Sequence, residues 1–255
     1  MNNLIRAEMF KLRRNKAFWA IFAAIAGLST LMHLLIITDW WYMSGTVFDE
    51  AGMSELNALS VYIVPLFFNL IVSTLAGYFI SNEYSQTSVI KNQIISGNNR
   101  TYIFLAKYIV FTLAAIVVTI VIPFAIGAMI VLLAGDGGIF TDQSLLYLGR
   151  SYALFFLHFL SFTAIVMIIS VITEDSGRTI LYTLFLSIAM FVLEQLVTVM
   201  PIRTIYEKTM FYHFDLSFNY SLTSAEVITS MLIGIISLIV LLFVGTLIFR
   251  RKEIK

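Results

Sequence analysis

Cysteine is absent from the 255-residue chain, which excludes disulfides, thiolate metal sites and thiol nucleophiles. Proline occurs only 3 times, so few helices should be sharply kinked. Charge is scarce as well. Asp, Glu, Lys and Arg make up 12% of the residues, against roughly 25% in soluble domains. A chain so poor in charge cannot cover a water-facing surface. No G-x-x-x-x-G-K-[ST] phosphate loop, H-E-x-x-H or G-x-S-x-G occurs, so the sequence carries neither that nucleotide site nor these hydrolase signatures. His33, His158 and His213 lie far apart in the chain and read as packing or hydrogen-bonding groups rather than metal ligands.

The sequence has instead long apolar runs, with 60% hydrophobic residues overall. Runs of about 18 or more apolar residues with few charges read as membrane helices. They predict spans at 17–38, 58–80, 102–134, 145–172, 179–200 and 226–249, with Pro65 in the first half of the second and Pro201 stopping the fifth. The expected fold class is all-α: a polytopic membrane protein in which 1–255 form one transmembrane domain. Asp39-Trp40-Trp41-Tyr42 closes the first span with aromatic residues suited to a membrane interface.

Residues 2–16 precede the first span. Helical spacing gathers Ile5, Met9 and Leu12 on one side, with Phe10 at its edge, while Arg6, Lys11, Arg13, Arg14 and Lys16 are basic. The pattern predicts an amphipathic helix lying under the bilayer. The run from Ala17 to Ile37 is longer than a signal-peptide core, so the first helix is expected to stay uncleaved.

Charge asymmetry gives an orientation. One side of the predicted map holds Arg6, Lys11, Arg13, Arg14, Lys16, Lys91, Arg100, Lys107, Arg178, Arg250, Arg251, Lys252 and Lys255, and the other only Arg150, Arg203 and Lys208. Lys and Arg concentrate on the cytoplasmic side, which places both termini there.

Few polar residues interrupt the spans. Glu194, with Gln195 beside it, lies in the outer half of the fifth. A carboxylate there is costly if it faces lipid, so it either contacts or gates a substrate or is paired within the packing. Arg150 either pairs with Glu194 or Asp142 or extends its charge to the interface. His158 either lines a path or makes an interhelical hydrogen bond. The segment 81–101 is too long for a minimal turn. Val89, Ile90, Ile94 and Ile95 fall at helical spacing within it, and Gly97-Asn98-Asn99 reads as a stop. It is either a short helix offering an apolar face to a cytoplasmic partner or a loop resting on headgroups.

Two stretches resemble the membrane subunits of type-2 ABC exporters, the ABC-2 permease family. One is Glu8-Met9-Phe10-Lys11-Leu12-Arg13-Arg14-Asn15-Lys16-Ala17-Phe18-Trp19. The other is Gly77-Tyr78-Phe79-Ile80-Ser81-Asn82-Glu83-Tyr84-Ser85-Gln86-Thr87, followed by Lys91 and Ser96-Gly97-Asn98-Asn99-Arg100. Gln86 and Asn99 depart mildly from that pattern, which more often has Gly and Ser.

The resemblance implies that 81–101 contain a coupling helix docking in a separate ATPase subunit. Its contact region would include Glu83, Thr87, Lys91 and Arg100, with Val89, Ile90 and Ile94 as its apolar face. It further implies two ATPase copies carrying ATP and Mg, no cofactor on this chain, and a second permease subunit, identical or homologous. No nucleic-acid partner is implied. The location would be the bacterial cytoplasmic membrane, with 202–225 re-entering the outer leaflet as short helices. The lack of a large external domain is similar to exporters of peptides and antibiotics, among them exporters of amphipathic peptides such as phenol-soluble modulins. The expected activity is therefore transport rather than catalysis: export of an amphipathic peptide or another hydrophobic antimicrobial compound. Glu194, Gln195, His158 and Arg150 are the candidates for its path or gate. The alternative is an immunity protein that binds an antimicrobial peptide without moving it.

Overall fold

A computed structural model describes residues 1–85, 89–135, 137–196 and 200–252. Every described regular element is helical. Helix α1 (Asn2–Arg14) ends at Asn15, whose extended backbone breaks the helix and whose Oδ1 accepts from Phe18 N at 3.1 Å, capping α2 (Lys16–Ile37). Two short helices, α3 (Val47–Glu50) and α4 (Leu59–Ile63), fill the following connection.

The remaining long helices are α5 (Pro65–Tyr84), α7 (Arg100–Ala134), α8 (Asp142–Thr173), α9 (Ser176–Gln195) and α12 (Ser224–Arg251). With α2 they make six helices long and apolar enough to cross a membrane. Helix α6 (Val89–Ile95) joins α5 to α7. Helices α10 (Met200–Tyr206) and α11 (Met210–Leu216) join α9 to α12.

The second span starts later than hydropathy predicts. Val64 is extended, as residues before proline prefer, and Pro65 opens the helix at a position where its missing N–H loses nothing. Pro123 is accommodated in a different way. The helix widens to π geometry over Val117–Val121 directly before it, so the carbonyls that proline cannot serve are re-spaced.

At 35 residues, α7 is about 50 Å long, against a hydrocarbon core of about 30 Å. Its far end meets that of α2 around a cavity lined by Ile36, Ile37 and Ala134. The surplus length therefore projects on the face holding the N-terminus, and α1 packs there. The sequence pattern laid Ile5, Met9 and Leu12 on lipid. In the structure the buried face of α1 is Leu4, Glu8 and Leu12, Ile5 and Met9 pack partly into the core, and Phe10 is exposed. The stripe is taken up by the protein's own helices. Both chain ends share this basic face, since Arg100 Nη1 donates to the carbonyls of Arg250 at 2.9 Å and Lys252 at 2.7 Å.

The core is aromatic. Phe68 of α5 meets Phe155, Phe159 and Phe162 of α8 and Phe214 of α11 at ring separations of 5.8, 5.6, 5.0 and 5.0 Å. Helix α11 is thus tucked into the bundle. Nearer the basic face, hydroxyl groups form a seam. Ser81 Oγ lies 2.7 Å from Ser170 Oγ and 2.8 Å from Thr179 Oγ1, and Thr173 Oγ1 lies 2.6 Å from Thr179 Oγ1. Small residues of this kind let helix backbones approach closely in a membrane.

One close approach joins α2 to α7. A Cβ at Gly127 would strike the imidazole of His33, a fully buried ring held by its Nδ1 at 2.8 Å from the Ser29 carbonyl. Overpacking at such a point costs about 1–3 kcal/mol. Gly127→Ala is expected to lower the thermal midpoint of the purified protein. Gly27→Ala on α2, where the added methyl meets nothing, is expected not to. Equal midpoints for the two would contradict this packing.

Candidate functional site

Where α1, α5, α6 and α7 converge on the basic face, four charges are drawn inside. Lys107, in the second turn of α7, is 1% exposed. Its Nζ lies 3.0 and 3.1 Å from the carboxylate oxygens of Glu8 and donates to Glu83 Oε2. Lys11 Nζ reaches Glu8 Oε1 at 2.6 Å and Glu83 Oε1 at 2.5 Å. Two ammonium groups and two carboxylates alternate, so the cluster is neutral as a whole. That neutrality is what permits burial, because an unpaired charge withdrawn from water is strongly disfavoured.

The local reasons are visible in the chain. Glu8 and Lys11 stand three residues apart on α1 and share a face. Glu83 lies just past a π-turn at Gly77–Ser81 in the last turn of α5, and Lys107 is the only charge between Thr101 and Ala134. Burial pushes the Glu8 carboxyl up. Lys107, Lys11 and the hydrogen bonds from Lys11 and Gln93 outweigh it and hold the group below its ordinary value. Burial and the neighbouring Lys107 ammonium lower Lys11, against a partial offset from Glu83 and Glu8. With 27% of its side chain exposed, Lys11 is the cluster's edge toward water.

Gln93 links α6 to this cluster: its Nε2 donates to Glu8 Oε1 at 2.9 Å. The Gln93 Oε1 is buried without a protein partner, so the polar tie is a single bond. Ile90, 1% exposed, and the half-buried Ile94 seat the same helix against the core. Lys91, Asn92 and Ile95 face outward, Ile95 with 73% exposure.

Several sequence candidates therefore sit differently from their expected placement. Glu83 turns inward to the cluster. Val89 is half-buried, Ile90 is buried and Ile94 packs inward, so the apolar face assigned to a partner is largely used by the chain itself. Lys91 does face outward. Arg100 clamps the end of α12, and Thr87 lies outside the described residues. Lys107, assigned to the cation-rich side, lies on that side but in the interior.

On the opposite face, Arg150 pairs with neither Glu194 nor Asp142. It donates to the Asn219 carbonyl at 2.6 Å and lies over the Tyr147 ring. His158 is fully buried, with Nε2 2.9 Å from Ser230 Oγ, an interhelical contact, and its ring stacks on His213 at 5.2 Å. Gln195 is exposed. Glu194 is half-buried and faces Asp215 and Tyr206.

Sequence reasoning missed Glu8, Lys11, Gln93, Asp215 and Tyr206 as site residues. A signal existed for the first pair. Glu8 is the sole acid among the bases of 2–16, and Lys107 stands alone in an apolar run, where a cation demands a partner.

The arrangement links a short helix with one exposed face to three longer ones through buried charge. Among the described residues no group of His, Cys, Asp and Glu is placed to hold a metal ion. A comparison with curated proteins finds no match. A comparison with protein families does: the family described as "ABC-2 family transporter protein" matches residues 4–190, which include all four charged residues and α6. The chain is a multi-pass membrane protein of the ABC-2 transporter family.

Proposed function

We propose that this chain is the permease subunit of an ATP-driven exporter, working with a separate ATPase and moving an amphipathic peptide or a similar hydrophobic compound outward. The family supports the transporter class, and the lack of a phosphate loop in this sequence is consistent with ATP hydrolysis on a partner chain. The observation that carries the mechanism is the bond from Gln93 to Glu8. It ties a helix with an exposed outer face to charges shared by α1, α5 and α7. A partner pressing on Lys91, Asn92 and Ile95 would displace α6, and the buried charges would pass that displacement to the spans. Only a ligand with different affinity for two arrangements of the bundle can drive such a change, and ATP-dependent closure of a paired ATPase supplies that difference. The complex in this reading has two ATPase copies and two permease subunits, with α6 and both chain ends in the cytoplasm.

The cysteine-free sequence makes the topology directly testable. Ser96 and Ser44 are exposed on opposite faces. A membrane-impermeant maleimide applied to intact cells is expected to label Ser44→Cys and to reach Ser96→Cys only after lysis. Affinity purification of the full-length chain from its native membrane is expected to bring down a phosphate-loop ATPase. Labelling of Ser96→Cys from outside would remove the mechanical basis of the proposal. Peptide resistance that persists without any ATPase would favour the immunity alternative.

A further inference from the structure

On the face opposite α1, the start of α5, the end of α9 and the α10–α11 connection enclose a cavity of about 30 Å³. Ser187 and Glu194 line it from one face of α9, seven residues apart. Tyr206 and Asp215 line it from α10 and α11, and Val64 and Pro65 from the other side. The Asp215 carboxyl meets that of Glu194, and the Tyr206 hydroxyl is directed at the same carboxylate. Two carboxyl groups in contact hold a proton between them. Ser187 adds an independent observation: it is 1% exposed, and its buried Oγ has no hydrogen-bond partner.

Among the described residues no basic group neutralises the two acids and neither forms an ion pair. Arg203, one turn before Tyr206, is bound to Glu207 at 2.7 Å. His213, two residues before Asp215, stacks on His158. From α5 the cavity receives only apolar side chains, and from α9 no ionisable group besides Glu194. Burial and, after it, the neighbouring Glu194 carboxylate push the Asp215 acid up to about 6. The side-chain polar atoms lining the space are all oxygens, of two carboxyl groups and two hydroxyls, and each can accept. The space is that of a single small ion. A water molecule would satisfy Ser187 but leave the acids uncompensated.

We propose that this cavity binds one cationic head, an ammonium group or a monovalent metal ion, which takes the place of the proton held between Glu194 and Asp215. The displaced proton passes to water, so charge balances. The ammonium could belong to a cargo, a step that rests on the export reading, or to a free cation; the chemistry is the same.

The test uses the full chain in lipid nanodiscs without any ATPase, in weak buffer near the Asp215 value. The probes are methylammonium chloride, sodium chloride, and a lysine-bearing amphipathic peptide with its lysine-acetylated twin. Choline chloride, too large for the cavity, serves as the blank. The native chain is expected to release about half a proton per chain, the share bound when the buffer matches the value of the group. Glu194→Gln and Asp215→Asn, which keep shape, are expected to lose most of that release. Ser187→Ala is expected to need several-fold more cation for the same release. Release by the free cations identifies an ion site, and release by the lysine peptide alone identifies a cargo site. No release with any probe, or undiminished release from both acid variants, overturns the proposal. Because no ATPase is present, such a failure leaves the export reading standing, and loss of ATPase co-purification leaves the proton measurement standing.

Discussion

Lys107→Met is expected to lower the thermal midpoint of the detergent-purified protein sharply and to reduce its yield in the membrane. The substitution takes from Glu8 and Glu83 the buried ammonium they share and leaves the partly exposed Lys11 against both. Removing one partner from a buried ionic group costs about 3–5 kcal/mol, because the remaining charges keep their desolvation penalty. Replacing the whole set with neutral groups of similar size costs far less. Glu8→Gln combined with Lys107→Met is therefore expected to recover part of the lost stability. Lys107→Arg is not a conservative change here, since a planar fork cannot reproduce the point contact of an ammonium with two carboxylates. A Lys107→Met protein that melts with the native one would show that the cluster contributes nothing to the fold. Absence of recovery in the double variant would show that the penalty is not electrostatic.

Lys91→Glu together with Ile95→Asp is expected to produce the opposite pattern. Both side chains are exposed on α6, so the midpoint should stay within experimental scatter. Association with the ATPase and export should fall at least about tenfold, as they do when central contacts of an interface are reversed in character. Ile90→Asp is the contrasting variant. It buries a carboxylate among apolar neighbours and is expected to unfold the region before any partner is involved. If the exposed pair retains full association and export, docking does not occur on that face of α6.

The two experiments separate what the sequence makes legible from what it hides. Long apolar runs declare the six long helices because hydropathy is a local property. The start of α5 was misplaced for a local reason too: an average over a window cannot see that Val64 must be extended before Pro65. The charged cluster is different in kind. Its members stand at positions 8, 11, 83 and 107, and nothing in their spacing announces that they meet. What the chain does announce is need, through Lys107 alone in an apolar run and Glu8 alone among bases. Helix α6 shows a further limit. Its apolar positions were legible, but periodicity does not say whether a stripe faces a partner or the rest of its own chain. Glu194 was legible as a carboxylate in a costly place. Its neighbours Asp215 and Tyr206 lie in the segment expected to re-enter the outer leaflet as short helices, and the packing of α10 and α11 against α9 brings them to it.

The hydroxyl seam between Ser81, Ser170, Thr173 and Thr179 has a mechanical corollary. A hydroxyl both donates and accepts, and one rotation about a single bond turns it to a new neighbour. Helices joined in this manner can shift slightly against one another with their hydroxyls still paired. The knot of lysines and glutamates nearby resists such slip, because each ammonium is held between two carboxylates and any displacement stretches a buried ionic contact. Stiffness at one level and lubrication at the next give α5 the properties of a lever resting on a bearing.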